Sequence, residues 1–180
     1  QLTGGLPITS VGRVMLAVAP SAPSTIFATI QHSGNYSLLG VWKSTDSGAT
    51  WSKLNATNAS CATQCWYDMA IWVDPTNANT VYFSGFSIYK STDGGATFSD
   101  IGAGVHVDHH AFAFLPGSSS TIFAGSDGGV FKSTNAGASW TSLNANLGIT
   151  DFYCRLGVHR TSPSIFLSGT QDNGTLLTTG

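Results

Sequence analysis

Three octapeptides decide how this sequence is read: Ser44-Thr45-Asp46-Ser47-Gly48-Ala49-Thr50-Trp51, Ser91-Thr92-Asp93-Gly94-Gly95-Ala96-Thr97-Phe98 and Ser133-Thr134-Asn135-Ala136-Gly137-Ala138-Ser139-Trp140. They begin 47 and 42 residues apart. Each places Ser first, Asp or Asn third, Gly fifth, a hydroxyl residue seventh and an aromatic ring last. This is turn chemistry. The short polar side chains accept hydrogen bonds from backbone N–H groups of their own turn. Gly supplies a positive φ, and the ring anchors the turn against a neighbouring sheet. Upstream of each octapeptide runs an alternating apolar segment ending in Pro: Met15 to Pro20, Met69 to Pro75 and Ala111 to Pro116. A weaker fourth copy spans Leu156 to Pro163. A polar turn and a β-rich run follow each Pro: Thr25-Ile26-Phe27-Ala28, Thr80-Val81-Tyr82-Phe83, Thr121-Ile122-Phe123-Ala124 and Ser164-Ile165-Phe166-Leu167.

Short runs rich in β-branched and aromatic residues, punctuated by Gly, Pro and Asn, read as antiparallel strands. Each repeat of ~45 residues holds four: the Pro-terminated run, the Ile-Phe run, a strand into the octapeptide and a strand out of it. Four short strands at that period make a propeller blade. The predicted fold is therefore all-β: a β-propeller of four-stranded antiparallel blades, with about three full blades and two partial ones. A single partial propeller is expected over residues 1–180, with a blade tail at 1–10, blades at 11–55, 56–102 and 103–148, and a partial blade at 149–180. Leu2, Leu6, Ile8 and Thr9 match Leu143, Leu147, Ile149 and Thr150 at a constant offset of 141, which predicts that the chain opens in the tail of a preceding blade. An arc of this size leaves two open sheet edges, so the remaining blades are expected from a longer polypeptide or, failing that, from neighbouring chains.

The octapeptide resembles the Asp-box, or BNR repeat, of propellers found in sialidases, xyloglucanase-type glycoside hydrolases, sortilin-type receptor domains and photosystem assembly factors. The resemblance covers essentially the whole chain. It implies structural roles for Ser44, Asp46, Gly48 and Trp51, for Ser91, Asp93, Gly95 and Phe98, and for Ser133, Asn135, Gly137 and Trp140. It implies a fold rather than an activity, because those relatives differ in what they do. A sialidase pairs a Tyr nucleophile with a Glu and grips a substrate carboxylate with three Arg. This chain has no Glu, and its three Arg (Arg13, Arg155, Arg160) do not occupy equivalent positions. A complete sialidase site is absent from the sequence. Xyloglucanase-type enzymes use two Asp, one as acid and one as base, and Asp68, Asp108 and Asp127 are the eligible catalytic candidates.

Composition narrows the classes further. Only 9% of residues are charged, against roughly a quarter in an average soluble domain, and Gly supplies 21 of 180. The net charge of −2 and the scattered basic residues argue against nucleic acid as a partner. No apolar run approaches the ~20 residues of a membrane span, and no signal peptide is visible, as in a mature, processed or excerpted chain. Cys61 and Cys65 enclose a loop-like stretch that reads as a zinc half-site, a redox pair or a local disulfide. Zinc lacks a second ligand pair, and a local disulfide is the favoured reading, with Cys154 a buried free thiol. A disulfide points to an oxidising compartment: secreted or cell surface, extracellular or periplasmic. Two glycosylation-type sequons, Asn55-Ala56-Thr57 and Asn58-Ala59-Ser60, lie beside it and add little in Ser/Thr-rich sequence. No cofactor and no dedicated metal site are expected.

If the Pro-terminated run is the innermost strand of each blade, the loops leading into it and the loops joining strands two and three share one rim. Counted back from each Pro, Arg13, Asp68 and His109 are equivalent. With Asp108, His110, Asp127 and Asp172 they form the expected binding rim. The Asp108–His110 cluster reads either as a ligand-facing or acid/base site, or as a capped turn with one packed and one solvated His. Asp127-Gly128-Gly129 and Gln171-Asp172-Asn173-Gly174 also read as tight turns. Trp42, Trp66, Tyr67, Trp72 and Tyr153 are the aromatics expected to stack on sugars if exposed. Two functions remain: a noncatalytic binding or assembly module for a protein or glycan partner, and a fragment of a xyloglucanase-like hydrolase.

Overall fold

The computed structural model describes residues 4–56, 59–148, 152–162 and 164–177, without the side chains of 152–156 and 166. The chain falls into two compact units, Gln1–Leu143 and Asn144–Gly180. The first holds three four-stranded antiparallel sheets, each ordered as its strands follow in sequence. Blade one is β1 (Val11–Val18), β2 (Ile26–His32), β3 (Leu38–Ser44) and β4 (Ser52–Lys53). Blade two is β5 (Ala70–Val73), β6 (Val81–Ser84), β7 (Ile88–Ser91) and β8 (Ser99–Asp100), preceded by a single helical turn, α1 (Cys65–Asp68). Blade three is β9 (His109–Phe114), β10 (Ile122–Ser126), β11 (Gly129–Ser133) and β12 (Thr141–Ser142). The second unit carries a three-stranded sheet of β13 (Phe152–Val158), β14 (Phe166–Thr170) and β15 (Thr175–Leu177). The Pro-terminated runs are the first strands of their sheets, with β1 against β5 and β5 against β9. This is a partial β-propeller.

β6 is buried on both faces because it lies between blades one and three, and the period of two divides its side chains between those neighbours. In β6, Val81 and Phe83 join a core with Phe27 and Val41 of blade one. Tyr82, between them, joins the next core with Phe112, Ile122 and Ala124 of blade three. Burying a ring such as Phe83 contributes about 1.5–3 kcal/mol. All four lysines lie over aromatic rings: Lys43 on Phe27, Lys53 on Trp42, Lys90 on Tyr82 and Lys132 on Phe123, at 5.2 to 5.8 Å from the centroids.

The octapeptides form the β3–β4, β7–β8 and β11–β12 connections. Ser44 Oγ accepts from the N–H of Gly48 at 2.8 Å and donates to Asp46 Oδ1 at 2.8 Å. Asp46 accepts in turn from the N–H and hydroxyl of Thr50. Ser91 and Asp93 repeat the pattern with Gly95 and Thr97. In the third box Asn135 accepts from the Ser139 N–H at 2.9 Å, but its amide donates to the Ser139 hydroxyl, so one bond reverses and the turn survives. The hydroxyl of Thr50, with its N–H and Ser44, lowers the Asp46 carboxyl to about 2. Asp93 is lowered for the same reason, led by Thr97.

The second and third boxes also lock onto the blade before them. Leu54, just past β4, packs on the bare face of Gly95, where a Cβ would stand 2.9 Å from its methyl carbon. Ile101 occupies the same place on Gly137, and its carbonyl accepts the Trp140 indole N–H at 2.7 Å. Gly95 and Gly137 have φ of 88° and 90°, so both conformation and contact require glycine. At the first box, Gly4 accepts from the Trp51 N–H, and Leu6 packs on Ala28, Ile30, Trp42 and Trp51.

Candidate functional site

Irregularities at the starts of the inner strands build the site. In β1 the pairs Val11↔His32 and Val14↔Ile30 enclose one residue too many, and in β9 the pairs His109↔Ser126 and Ala111↔Gly125 do the same. Such bulges re-aim a side chain. They turn Arg13 and His110 outward at the mouth of a groove of about 390 Å³ lined by β1, β5 and β9. Blade two has no bulge there; α1 takes its place, tethered by the Cys61–Cys65 disulfide, whose Cα atoms are 5.1 Å apart. Both half-cystines are fully buried. The Cys65 N–H donates to the Tyr36 carbonyl of the β2–β3 turn at 3.0 Å.

From this turn three blades are joined. The Arg13 guanidinium donates to the carbonyls of Trp66 and Tyr67 at 2.9 and 3.0 Å. The Tyr67 hydroxyl donates to Asp127, 3.1 Å from both carboxylate oxygens. His110 Nε2 sits 2.7 Å from Asp127 Oδ1, and its ring meets that of Tyr67 edge-on at 4.5 Å. Gln64 Nε2 donates to Asp68 Oδ2 at 3.1 Å and also to Asp108 Oδ1. Asp108 adopts a φ of 61°, and its carbonyl accepts the Asp127 N–H at 3.2 Å. Arg13, Asp68, Asp108, His110 and Asp127 are thus one connected cluster.

Two expected rim residues are not at the surface. Asp68 and His109 are each 1% exposed. The equivalence counted from Pro fixes their position along the strand, not the side to which the chain turns. α1 folds Asp68 beneath itself, and the bulge sends His109 inward while His110 goes out. Asp68 Oδ1 and His109 Nδ1 are buried without a hydrogen-bond partner among the described residues. Burial raises the Asp68 carboxyl to about 6, with the nearby Asp108 charge adding to it and Gln64 opposing it. Burial lowers His109 to about 4, helped by His110 and His106, and keeps it neutral. Asp172 lies in the β14–β15 turn of the second unit, exposed and accepting from the Gln171 amide.

Of the aromatics expected to meet sugars, Trp42 is core, packed with Ala28, Ile30, Trp51 and Leu6, and Trp72 is half-buried against Phe112 of blade three. The side chains of Tyr153 and Cys154 lie outside the described residues. Trp66 and Tyr67 are exposed. Gln64 and Phe86 escaped the sequence reading, whereas Tyr36 lies in the 31–40 segment, which the repeat already places on the rim. Gln64 is one residue from a cysteine already singled out, and Phe86 is a lone ring in a loop with no motif. Among the described residues no group of three or more His, Cys, Asp or Glu is arranged to hold a metal ion.

The family profile of Sortilin, neurotensin receptor 3 (Sortilin-Vps10) matches residues 40–177. The chain belongs to the Sortilin-Vps10 family. No curated protein matches the sequence significantly. Among solved structures, this Sortilin-Vps10 chain is similar to a GH74 enzyme of Niastella koreensis, with a TM-score of 0.58, 20% identity, and 91% of this chain covering 28% of that one. An ancestral GH74 enzyme gives 0.54, 18% identity, 99% and 24%. YCF48 from Cyanidioschyzon merolae gives 0.55, 13% identity, 97% and 56%. The chain thus spans about a quarter of the GH74 enzymes and about half of YCF48, and likeness at these identities shows the propeller fold alone. No helix among the described residues is long and apolar enough to cross a membrane.

Proposed function

We propose that this propeller is a noncatalytic binding module that takes its partner on the rim around Tyr67, His110 and Asp127. The observation that carries this reading is the engagement of every candidate carboxylate within the protein. Asp68 is buried under α1 and bound by Gln64, Asp108 is held by the same amide, and Asp127 is held by Tyr67 and His110. A glycosidase acid must reach the leaving oxygen, and its base must reach a water or the sugar. Pinned and buried groups favour a rigid recognition surface instead. The GH74 likeness supports the hydrolase reading only at the level of fold. The buried disulfide supports an oxidising compartment, hence a secreted or cell-surface protein. Gly4 accepting the Trp51 N–H and Leu6 packing on Trp51 support reading 1–10 as a blade tail seated on the first box, with further blades completing the ring.

The test is a binding screen of the intact protein against glycan and peptide arrays, repeated with Tyr67→Ala and Asp127→Asn. Partner capture that falls at least tenfold in both variants, with melting shifted by a few degrees at most, is the expected outcome. Capture that survives both changes, or glycan cleavage abolished by Asp68→Asn, contradicts the proposal.

A further inference from the structure

Among the described residues, four aromatic rings are exposed: Tyr36 at 51%, Trp66 at 58%, Tyr67 at 41% and Phe86 at 50%. They come from three separate segments, yet all belong to one rim. Tyr36 lies in the β2–β3 turn of blade one, and its carbonyl accepts the Cys65 N–H at the start of α1. Trp66 and Tyr67 are on α1, with ring centroids 5.5 Å apart. Phe86 lies in the β6–β7 turn of blade two; the preceding Gly85 packs on Ser60 and Cys61 and accepts the His109 N–H. One disulfide and two backbone hydrogen bonds therefore tie these segments together beside Asp127 and His110.

The charges on this rim select the chemistry. Lys43, Lys90 and Lys132 immediately precede the three boxes, at the opposite ends of their strands, and with Lys53 all lie over rings. Arg13 is engaged by two carbonyls. Asp108 and Asp127 repel anions. A single arginine flanked by two carboxylates gives a polyanion little cationic grip. A peptide that binds by strand addition needs an open sheet edge, and the rim presents turns. What remains is a surface of flat apolar rings beside carboxylate and imidazole groups. An aromatic ring offers an apolar face to C–H groups, and a carboxylate at the edge of that face is an acceptor for hydroxyl donors. That combination fits a sugar ring, with its C–H face and its equatorial hydroxyls.

We infer that Tyr36, Trp66, Tyr67 and Phe86 form a stacking platform for a neutral polysaccharide, with Asp127 and His110 contacting its hydroxyls. This rests on the rim being the binding surface. The spread of the rings over two blades suits several consecutive sugar units rather than a monosaccharide.

Affinity electrophoresis of the intact protein tests it, in gels containing hydroxyethyl cellulose, xylan, galactomannan or soluble starch, with polygalacturonate as the anionic control. Retardation in at least one neutral gel and none in polygalacturonate is expected. Trp66→Ala and Phe86→Ala should each weaken that retardation at least tenfold with melting unchanged, and Trp66→Tyr should restore most of it. Free migration in every neutral gel, equal retardation by polygalacturonate, or affinity unchanged in both alanine variants overturns the inference. Rim-dependent capture of a peptide by a protein that ignores all neutral gels overturns the glycan and leaves the rim standing.

Discussion

The Tyr67 hydroxyl donates to the Asp127 carboxylate across the junction of blades two and three, 3.1 Å from both of its oxygens. Tyr67 stands on a four-residue helical turn and Asp127 in a β-turn, so neither element is rigid alone. Their bond, the His110 contact on the same carboxylate and the disulfide behind α1 together fix the rim. Tyr67→Phe should remove the bond while keeping the ring, at a cost of about 0.5–1.5 kcal/mol because the group is partly exposed. Chemical denaturation should show a small shift of midpoint at constant slope.

The second and third boxes should behave as inter-blade locks rather than as independent turns. Phe98→Ala, at a fully buried position, should cost about 3–5 kcal/mol. Asp93→Ala should cost about 1 kcal/mol, the scale of a local side-chain-to-backbone bond. Gly137→Ala meets both a positive φ and the Ile101 side chain, so it should cost more than the about 1 kcal/mol of a conformational penalty alone. Equilibrium unfolding of the three variants gives the order directly.

Acid–base behaviour should expose two buried groups that act in opposite directions. The Asp68 carboxyl is raised from 3.8 to about 6, so the native state holds its proton longer than the unfolded chain. Its contribution is fully present below pH 3.8 and is lost as pH rises through 6. His109 is lowered from 6.5 to about 4, so the unfolded chain binds the extra proton in that interval. Its contribution is present above pH 6.5 and is lost as pH falls through 4. Between pH 4 and 6 the two slopes oppose each other. Asp68→Asn removes one, and stability of that variant should climb with pH across this window more steeply than in the parent protein. Denaturant midpoints measured at half-unit pH steps test the sign.

The disulfide should matter to the rim more than to the blades. It closes a loop of five residues, for which chain entropy gives about 2 kcal/mol. The double variant Cys61→Ser, Cys65→Ser should lose roughly that much stability and a larger share of binding, because α1 is its nearest dependent. Intact mass after alkylation, with and without reductant, reads the pairing. Two extra modified cysteines after reduction are expected.

The blades were legible because their determinants are local and repeated. Ser, Asp, Gly and an aromatic residue at fixed spacing specify a turn, and three copies at regular distance specify how it is used. The rim was only half legible, because repetition predicts register but not burial. Asp68 and His109 hold equivalent places in sequence to Arg13, yet a bulge in β1, a helical turn before β5 and a bulge in β9 send the three chains different ways. A bulge is one inserted residue with no signature of its own. Gln64, which bridges two carboxylates, stood unremarked beside Cys65 for the same reason: its role exists only once two blades meet.

Oxidative footprinting of the intact protein, read residue by residue by mass spectrometry, tests the central claim most directly. Trp66 is the only indole classed as exposed among the described residues, with Trp42 and Trp51 buried and Trp72 and Trp140 partly so. It should label fastest in the free protein. With a partner bound, labelling of Trp66 and Tyr67 should fall severalfold while Trp140 is unchanged. Full labelling of Trp66 and Tyr67 in the saturated complex would place the partner elsewhere and contradict the account.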